Sequence, residues 1–258
     1  MILIVLLNLF MNFSFNQKDF VSITAHRGAS GYAPENTMSA FTTAIIMGSN
    51  YIELDAQETS DGEIIILHDN TLERTTGINK NIWEVSYSEI KNLDAGYWFN
   101  EKFKNEPIPK LSDVINNVNG KIKLNIELKT NGHEKKLAEK VVEIVETMKF
   151  TSDCILTSFD FSQIRRVKEL NPNIKVGYIL KSLPENIDVF KSDIEILSVH
   201  YNLVNNEFME KAIKNNKEVH VWTVNDEDEM KRIIDLGVNN IITNYPDKLK
   251  EILGQIKN

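Results

Sequence analysis

Seven ionisable residues stand at or near the ends of apolar, β-branched runs. His26 and Arg27 follow VSITA, Glu53 and Asp55 lie within YIELDA, His68 closes EIIILHD, and Glu127 and Lys129 close IKLNIELK. Residues i and i+2 of a strand project to one side, so Glu53 and Asp55 share a face, as do Glu127 and Lys129. Carboxylates drawn together resist ionisation. A hard divalent cation relieves that repulsion, and an all-oxygen donor set suits Ca2+ or Mg2+. No Cys/His spacing supports a structural zinc.

The charges then balance around one kind of ligand. Three carboxylates set against a divalent cation, Arg27 and Lys129 leave one positive charge, which a phosphodiester monoanion cancels. Arg27 and Lys129 can hold phosphate oxygens, a metal can polarise the phosphoryl group, and His26 and His68 can flank phosphorus as general base and general acid. Singly, each residue has an ordinary explanation: a hydrogen-bonded strand-end histidine, a solvated Glu-x-Asp, a simple Glu127–Lys129 ion pair. The functional case rests on all seven occurring together.

The remaining polar residues carry weaker signals. His133 opens a loop-borne helix and reads as surface. His200 ends a strand on the active side and is a candidate pocket residue, whereas His220, inside a strand, reads as structural. Asp69 faces away from His68 along a strand and reads as support. Trp222 is either a core residue or an apolar wall for substrate at the barrel mouth. In Pro34-Glu35-Asn36-Thr37, Asn36 is a candidate helix cap, and Glu35 suits the positive start of the helix dipole or lines the pocket.

These residues need a scaffold that gathers strand ends. Strand-like runs fall at Val21–Ala25, Tyr51–Ala56, Glu63–Leu67, Ile122–Leu128, Cys154–Thr157, Ile174–Leu180, Ile194–Val199, Val219–Val224 and Asn240–Thr243. Helical periodicity falls near Glu35–Met47, Glu134–Met148, Phe161–Leu170, Glu207–Asn215 and Glu227–Leu236. Alternation of this kind in 258 residues predicts a single (β/α)8 TIM-type barrel, whose active site lies at the strands' carboxyl ends. The link from Ala56 to Glu63 is too short for a crossover helix. One run is therefore antiparallel or part of an extension, and the barrel is irregular near strands two and three. Residues 70–110 break the rhythm and read as an insertion or lid carrying Tyr97, Trp98 and Phe99.

The formal net charge of −8 argues against a nucleic-acid partner, which needs a basic face. Cys154 is the only cysteine, so no internal disulfide forms. Residues 1–20 read as an apolar N-terminal segment and residues 21–258 as the barrel domain. Met1 to Phe15 is interrupted only by Asn8, Asn12 and Ser14. It is shorter than the about 20 residues of a spanning helix and lacks a basic signal-peptide start. It packs under the barrel or contacts membrane, or it ends a transmembrane helix that starts further upstream. The location is left between cytoplasmic and membrane-associated.

The ordered set His26-Arg27-Gly28, Pro34-Glu35-Asn36-Thr37, Glu53-x-Asp55, His68-Asp69 and Glu127-x-Lys129 resembles the glycerophosphodiester phosphodiesterase family, as do Trp222-Thr223-Val224-Asn225 and Ile241-Ile242-Thr243-Asn244-Tyr245-Pro246. The likeness runs from Val21 to the end of the chain and is greatest to members carrying an amino-terminal membrane region. It implies a metal-dependent barrel hydrolase that releases sn-glycerol 3-phosphate and an alcohol. In it His26 and His68 form the acid/base pair, Glu53, Asp55 and Glu127 bind one Ca2+ or Mg2+, and Arg27 and Lys129 hold the phosphate. The mechanism often proposed for the family passes through a cyclic phosphate. Small diesters such as glycerophosphocholine or glycerophosphoethanolamine are the expected substrates. The alternatives are a lysophospholipase D acting on lipids and a non-catalytic phosphate-binding barrel, the latter disfavoured by two intact histidines.

Overall fold

A computed structural model describes residues 21–256, so the expectations for Met1 to Phe15 lie outside the described residues. Strands form at all nine predicted runs: β1 Ser22–Ala25, β2 Tyr51–Glu58, β3 Ile64–Ile66, β4 Lys123–Leu128, β5 Cys154–Ser158, β6 Lys175–Leu180, β7 Ile196–His200, β8 Glu218–Trp222 and β9 Asn240–Thr243. All but β3 are parallel and close into a barrel in the order β1-β9-β8-β7-β6-β5-β4-β2, with β1 pairing back onto β2.

The irregularity falls where the short link predicts it. β2 outruns its neighbours, and its last residues pair antiparallel with β3, Ala56 opposite Ile66 and Glu58 opposite Ile64. β3 is therefore not a stave of the barrel. It hangs on the carboxyl overhang of β2 and runs back toward the barrel mouth, where Leu67 donates its N–H to the Asp55 carbonyl at 2.9 Å. The following stretch holds two short helices, α2 Glu73–Thr76 and α3 Tyr87–Ile90, around a small core of its own that includes Leu72, Ile82, Val85, Ile90 and Ile108.

The outer ring comprises α1 Met38–Met47, α4 Leu111–Val118, α5 Leu137–Thr147, α6 Phe161–Leu170, α7 Asn206–Lys214, α8 Glu227–Asp235 and α9 Pro246–Ile256. α4 and α9 are additions to the helices read from sequence. The link from β6 to β7 contains no helix.

Alternation along the strands divides the interior. Outward positions such as Ile52, Leu54, Leu124, Ile126, Val219, Val221 and Ile241 are fully buried in two apolar clusters against the helices. Burial of this kind contributes roughly 1.5–3 kcal/mol for each large aliphatic side chain. Most inward positions are polar: Thr24, Glu53, Asp55, Asn125, Glu127, Thr157, Ser198, His220 and Asn240 are all buried, with Ile179 and Ile242 as apolar exceptions lining the cavity. Such a polar lumen exchanges packing for chemistry.

Candidate active site

The β1–α1 loop sets the first wall. Arg27 and Asn36 adopt left-handed backbone, φ 53° and 58°. Gly28, at φ 80°, packs so closely on α1 that an added Cβ would come 2.6 Å from the Ala40 Cβ. This tight turn aims the Arg27 N–H at Glu53 Oε2, 2.8 Å away. The expected helix cap shifts by one residue: Thr37 Oγ1 accepts from the Ala40 N–H at 3.3 Å. Asn36 instead turns inward. Its Nδ2 donates to Asp55 Oδ2 at 2.7 Å, and its Oδ1 accepts from the Asp55 N–H at 3.3 Å. Asparagine tolerates the left-handed conformation that makes this exchange reachable.

β2 and β4 set the second wall in register, Glu53 opposite Asn125 and Asp55 opposite Glu127. One carboxylate oxygen from each of Glu53, Asp55 and Glu127 lies within 4.8 Å of the others, and all three residues are buried. Lys129 Nζ stands 3.3 Å from Glu127 Oε1 and 3.7 Å from Asp55 Oδ1. Arg27 reaches Asp55 Oδ2 through Nε at 3.5 Å and Glu35 Oε1 through a terminal nitrogen at 2.9 Å.

The cluster is electrostatically unfinished. Burial, then Asp55 and Glu127, pushes the Glu53 carboxyl well above its ordinary pKa. Glu127 is pushed up to about 7 by burial and then by Asp55, against the pull of Lys129. Asp55 alone is held below the usual range: burial opposes its ionisation, but Arg27, Lys129 and His68 outweigh it. Two carboxyls that resist ionisation beside one that does not form a hard oxygen donor set, and these residues fit a divalent cation.

Both histidines face this cluster. His26 donates from Nδ1 to Asn244 Oδ1 at 2.7 Å, leaving Nε2 free 4.0 Å from Glu53 Oε2. Desolvation, then Arg27, pushes its pKa down to about 4, so it is neutral at neutral pH. His68 lies past the end of β3, its Nδ1 2.8 Å from Asp69 Oδ1. Desolvation leads the lowering of its pKa as well.

Asp69 thus does not face away from His68, because strand alternation has already ended. Arg74 then joins the two walls. Its guanidinium bonds Asp69 at 2.6 and 3.1 Å and Glu35 at 2.7 and 3.0 Å. It also lies over the Trp98 ring, 5.4 Å from the centroid. Glu35 is accordingly a bridge between Arg27 and Arg74, not only a charge near the start of α1. The sequence reading misses Arg74 and Asn244: an arginine five residues after Asp69 carries no motif by itself, and Asn244 is named only within a longer resemblance.

One cavity of about 550 Å³ opens here, lined by His26, Arg27, Glu53, His68, Glu127 and Lys129 on one side and by Phe159, Lys181, Trp222 and Thr223 on the other. Trp222 therefore stands at the mouth, with Nε1 donating to the Ser198 carbonyl at 3.1 Å. His200 does not line the cavity; it packs edge-on against Trp222 at 5.3 Å. His133 is exposed and stacks on Trp83, while His220 is buried beside Glu218.

Comparison with known proteins agrees with this geometry. Residues 26–248 match the glycerophosphoryl diester phosphodiesterase family. A glycerophosphodiester phosphodiesterase of Caldanaerobacter subterraneus subsp. tengcongensis is 34% identical over 236 residues, covering 88% of this chain and 95% of that protein. A lysophospholipase D of Mus musculus is 28% identical over 89% of this chain and 85% of its own length. The structure of an Oleispira antarctica phosphodiesterase in complex with the product sn-glycerol-3-phosphate superposes with a TM-score of 0.86 at 28% identity, covering 91% of this chain and 97% of that one. On the strength of a match running from the carboxyl end of β1 into the start of α9, the chain belongs to the glycerophosphoryl diester phosphodiesterase family.

Proposed function

We propose that the chain hydrolyses glycerophosphodiesters to sn-glycerol 3-phosphate and an alcohol at this cavity. The observation that carries the reading is the convergence of Glu53, Asp55 and Glu127 beside two imidazoles and two cations that line the same cavity. Glu53, Asp55 and Glu127 would hold one Ca2+ or Mg2+, which when bound supplies Lewis-acid polarisation of the phosphoryl group.

The chain's own residues account for the rest. Arg27 Nε is buried without a hydrogen-bond acceptor and, with Lys129 Nζ, offers donors to phosphoryl oxygens. His26 is neutral, and its Nδ1–H is tied to Asn244, so Nε2 is free to accept a proton as the base. His68 is backed by a carboxylate where His26 has a carboxamide. Asp69 stabilises a protonated His68 ring and suits it to deliver a proton to the leaving alcohol.

A second reading, a diesterase acting on lysolipids, draws on exposed Tyr97 and Trp98, with Trp98 linked to the site through Arg74. The test is release of glycerol 3-phosphate from soluble glycerophosphodiesters with EDTA, followed by add-back of Ca2+ or Mg2+. Loss and restoration are expected. No release with any ion sinks the soluble-substrate reading, and turnover of lysophospholipid in that case selects the second.

A further inference from the structure

The wall facing the carboxylates is built from the carboxyl ends of β5, β6 and β8 and belongs to neither the metal cluster nor the histidines. Phe159 follows β5, Lys181 follows β6 and Trp222 ends β8. The Phe159 and Trp222 rings meet edge to face at 5.6 Å and 85°, and Trp222 is fixed from behind by His200 and by the Ser198 carbonyl. Lys181 Nζ sits over the Phe159 ring, 5.6 Å from its centroid. Lys181 is exposed and Phe159 is 40% exposed, so this wall is also the rim. Among the described residues Lys181 makes no ion pair within 4.0 Å. The acidic residues lining the cavity, Glu53 and Glu127, stand on the opposite wall, Glu127 paired with Lys129 and Glu53 bonded by the Arg27 N–H.

Building on the diesterase reading above, we infer that Lys181 selects the alcohol arm of the substrate, disfavouring cationic amino-alcohol head groups and favouring uncharged polyols or anionic ones. The two arms of the diester find different surroundings. Glycerol hydroxyls match the polar floor, where Asn125, Thr157 and Ser198 line the cavity. The variable arm, which differs in size between substrates, has room only at the open rim. There a quaternary ammonium would need a free aromatic face or an unpaired carboxylate. The Phe159 face is occupied by the chain's own ammonium, Trp222 is held edge to face between Phe159 and His200 beside that same ammonium, and no unpaired carboxylate lines this wall. A polyol or an anion meets in Lys181 three hydrogen-bond donors and a favourable charge.

The test uses the full chain with its activating ion and compares kcat/KM for glycerophosphoinositol and for bis(glycero)phosphate with that for glycerophosphocholine. The native chain is expected to favour the polyol diesters, and high salt to compress the preference. Two like charges about 6 Å apart correspond to about a threefold effect at the dielectric of water and about a hundredfold effect at that of a protein surface. Lys181→Gln is expected to lose most of the preference and Lys181→Glu to reverse it, chiefly through KM, with melting temperatures unchanged because the side chain is exposed. Lys191→Gln, on the same β6–β7 link but outside the cavity, is expected to leave the ratio unchanged.

A native chain that cleaves the choline diester as well as the polyols overturns the inference, as does a ratio unmoved in Lys181→Glu. If no glycerophosphodiester is cleaved at all, the diesterase reading itself fails and this inference falls with it. That outcome is distinct from cleavage of every diester without discrimination.

Discussion

His68 Nδ1 lies 2.8 Å from Asp69 Oδ1, a side-chain bond between sequence neighbours that an uninterrupted strand would send to opposite faces. It exists because β3 ends at Ile66 and the chain bends from His68 onward. Arg74 then fixes Asp69, whose pKa is lowered to about 2, chiefly by the Arg74 hydrogen bonds. Asp69→Asn is expected to keep the fold and metal binding while slowing turnover. His68→Ala is expected to cost on the order of 10²–10⁴ in kcat, the usual contribution of general acid–base catalysis. Steady-state kinetics beside a metal-binding isotherm check both, and native turnover by His68→Ala removes the two-histidine scheme.

Metal affinity is expected to rise with pH through the neutral range, because burial holds protons on both Glu127 and Glu53. The Glu127 carboxyl, pushed up to about 7, must lose its proton before it can ligate. Below that value each unit of pH costs up to about tenfold in affinity for each proton released. The sign follows from the raised pKa: the competing protonated form prevails on the acid side. Calorimetry across pH, in buffers of different ionisation heat, measures proton release directly. Glu127→Gln should weaken binding and remove the part of its pH dependence centred near 7, leaving the part due to Glu53.

Gly28→Ala is expected to be severely destabilising although it adds one methyl group. A left-handed conformation at a non-glycine residue costs about 1–3 kcal/mol. The contact with Ala40 at 2.6 Å adds overpacking of about 1–3 kcal/mol. Thermal melts should show the loss, and metal affinity should fall with it, because the same turn aims the Arg27 N–H at Glu53.

Cys154 is buried at 4% exposure, and burial, then Asp153, pushes its thiol up to about 12. The native chain should therefore resist thiol reagents at mildly alkaline pH and react stoichiometrically once unfolded. Fast labelling of the folded protein would show that β5 opens locally.

The strands and the chemistry-bearing residues are legible in sequence for one reason. A buried parallel strand must be apolar and β-branched, so a polar residue near its end stands out; His26, Glu53, Asp55, Glu127 and Lys129 are found this way. The antiparallel β3 is legible from the short link between Ala56 and Glu63. α4 and α9 are less so. Leu111, Val114, Ile115 and Val118 give the right spacing, but they follow a stretch already read as an irregular insertion. In α9 the starting Pro246 is a recognised helix-start signal that competes with its reading as the end of a motif.

By itself the sequence determined the barrel, the nine strands and which seven ionisable residues gather at one end, because period and polarity are local properties. Only the tertiary structure decided how those residues are partnered. Asn36 serves Asp55 while Thr37 caps α1, Asp69 serves His68, Arg74 ties Glu35 to Asp69, and Lys181 covers Phe159. Arg74 lies 39 residues from Glu35. Two left-handed residues and the return of β3 along β2 close that gap, and no pattern of neighbours in the chain encodes such a meeting.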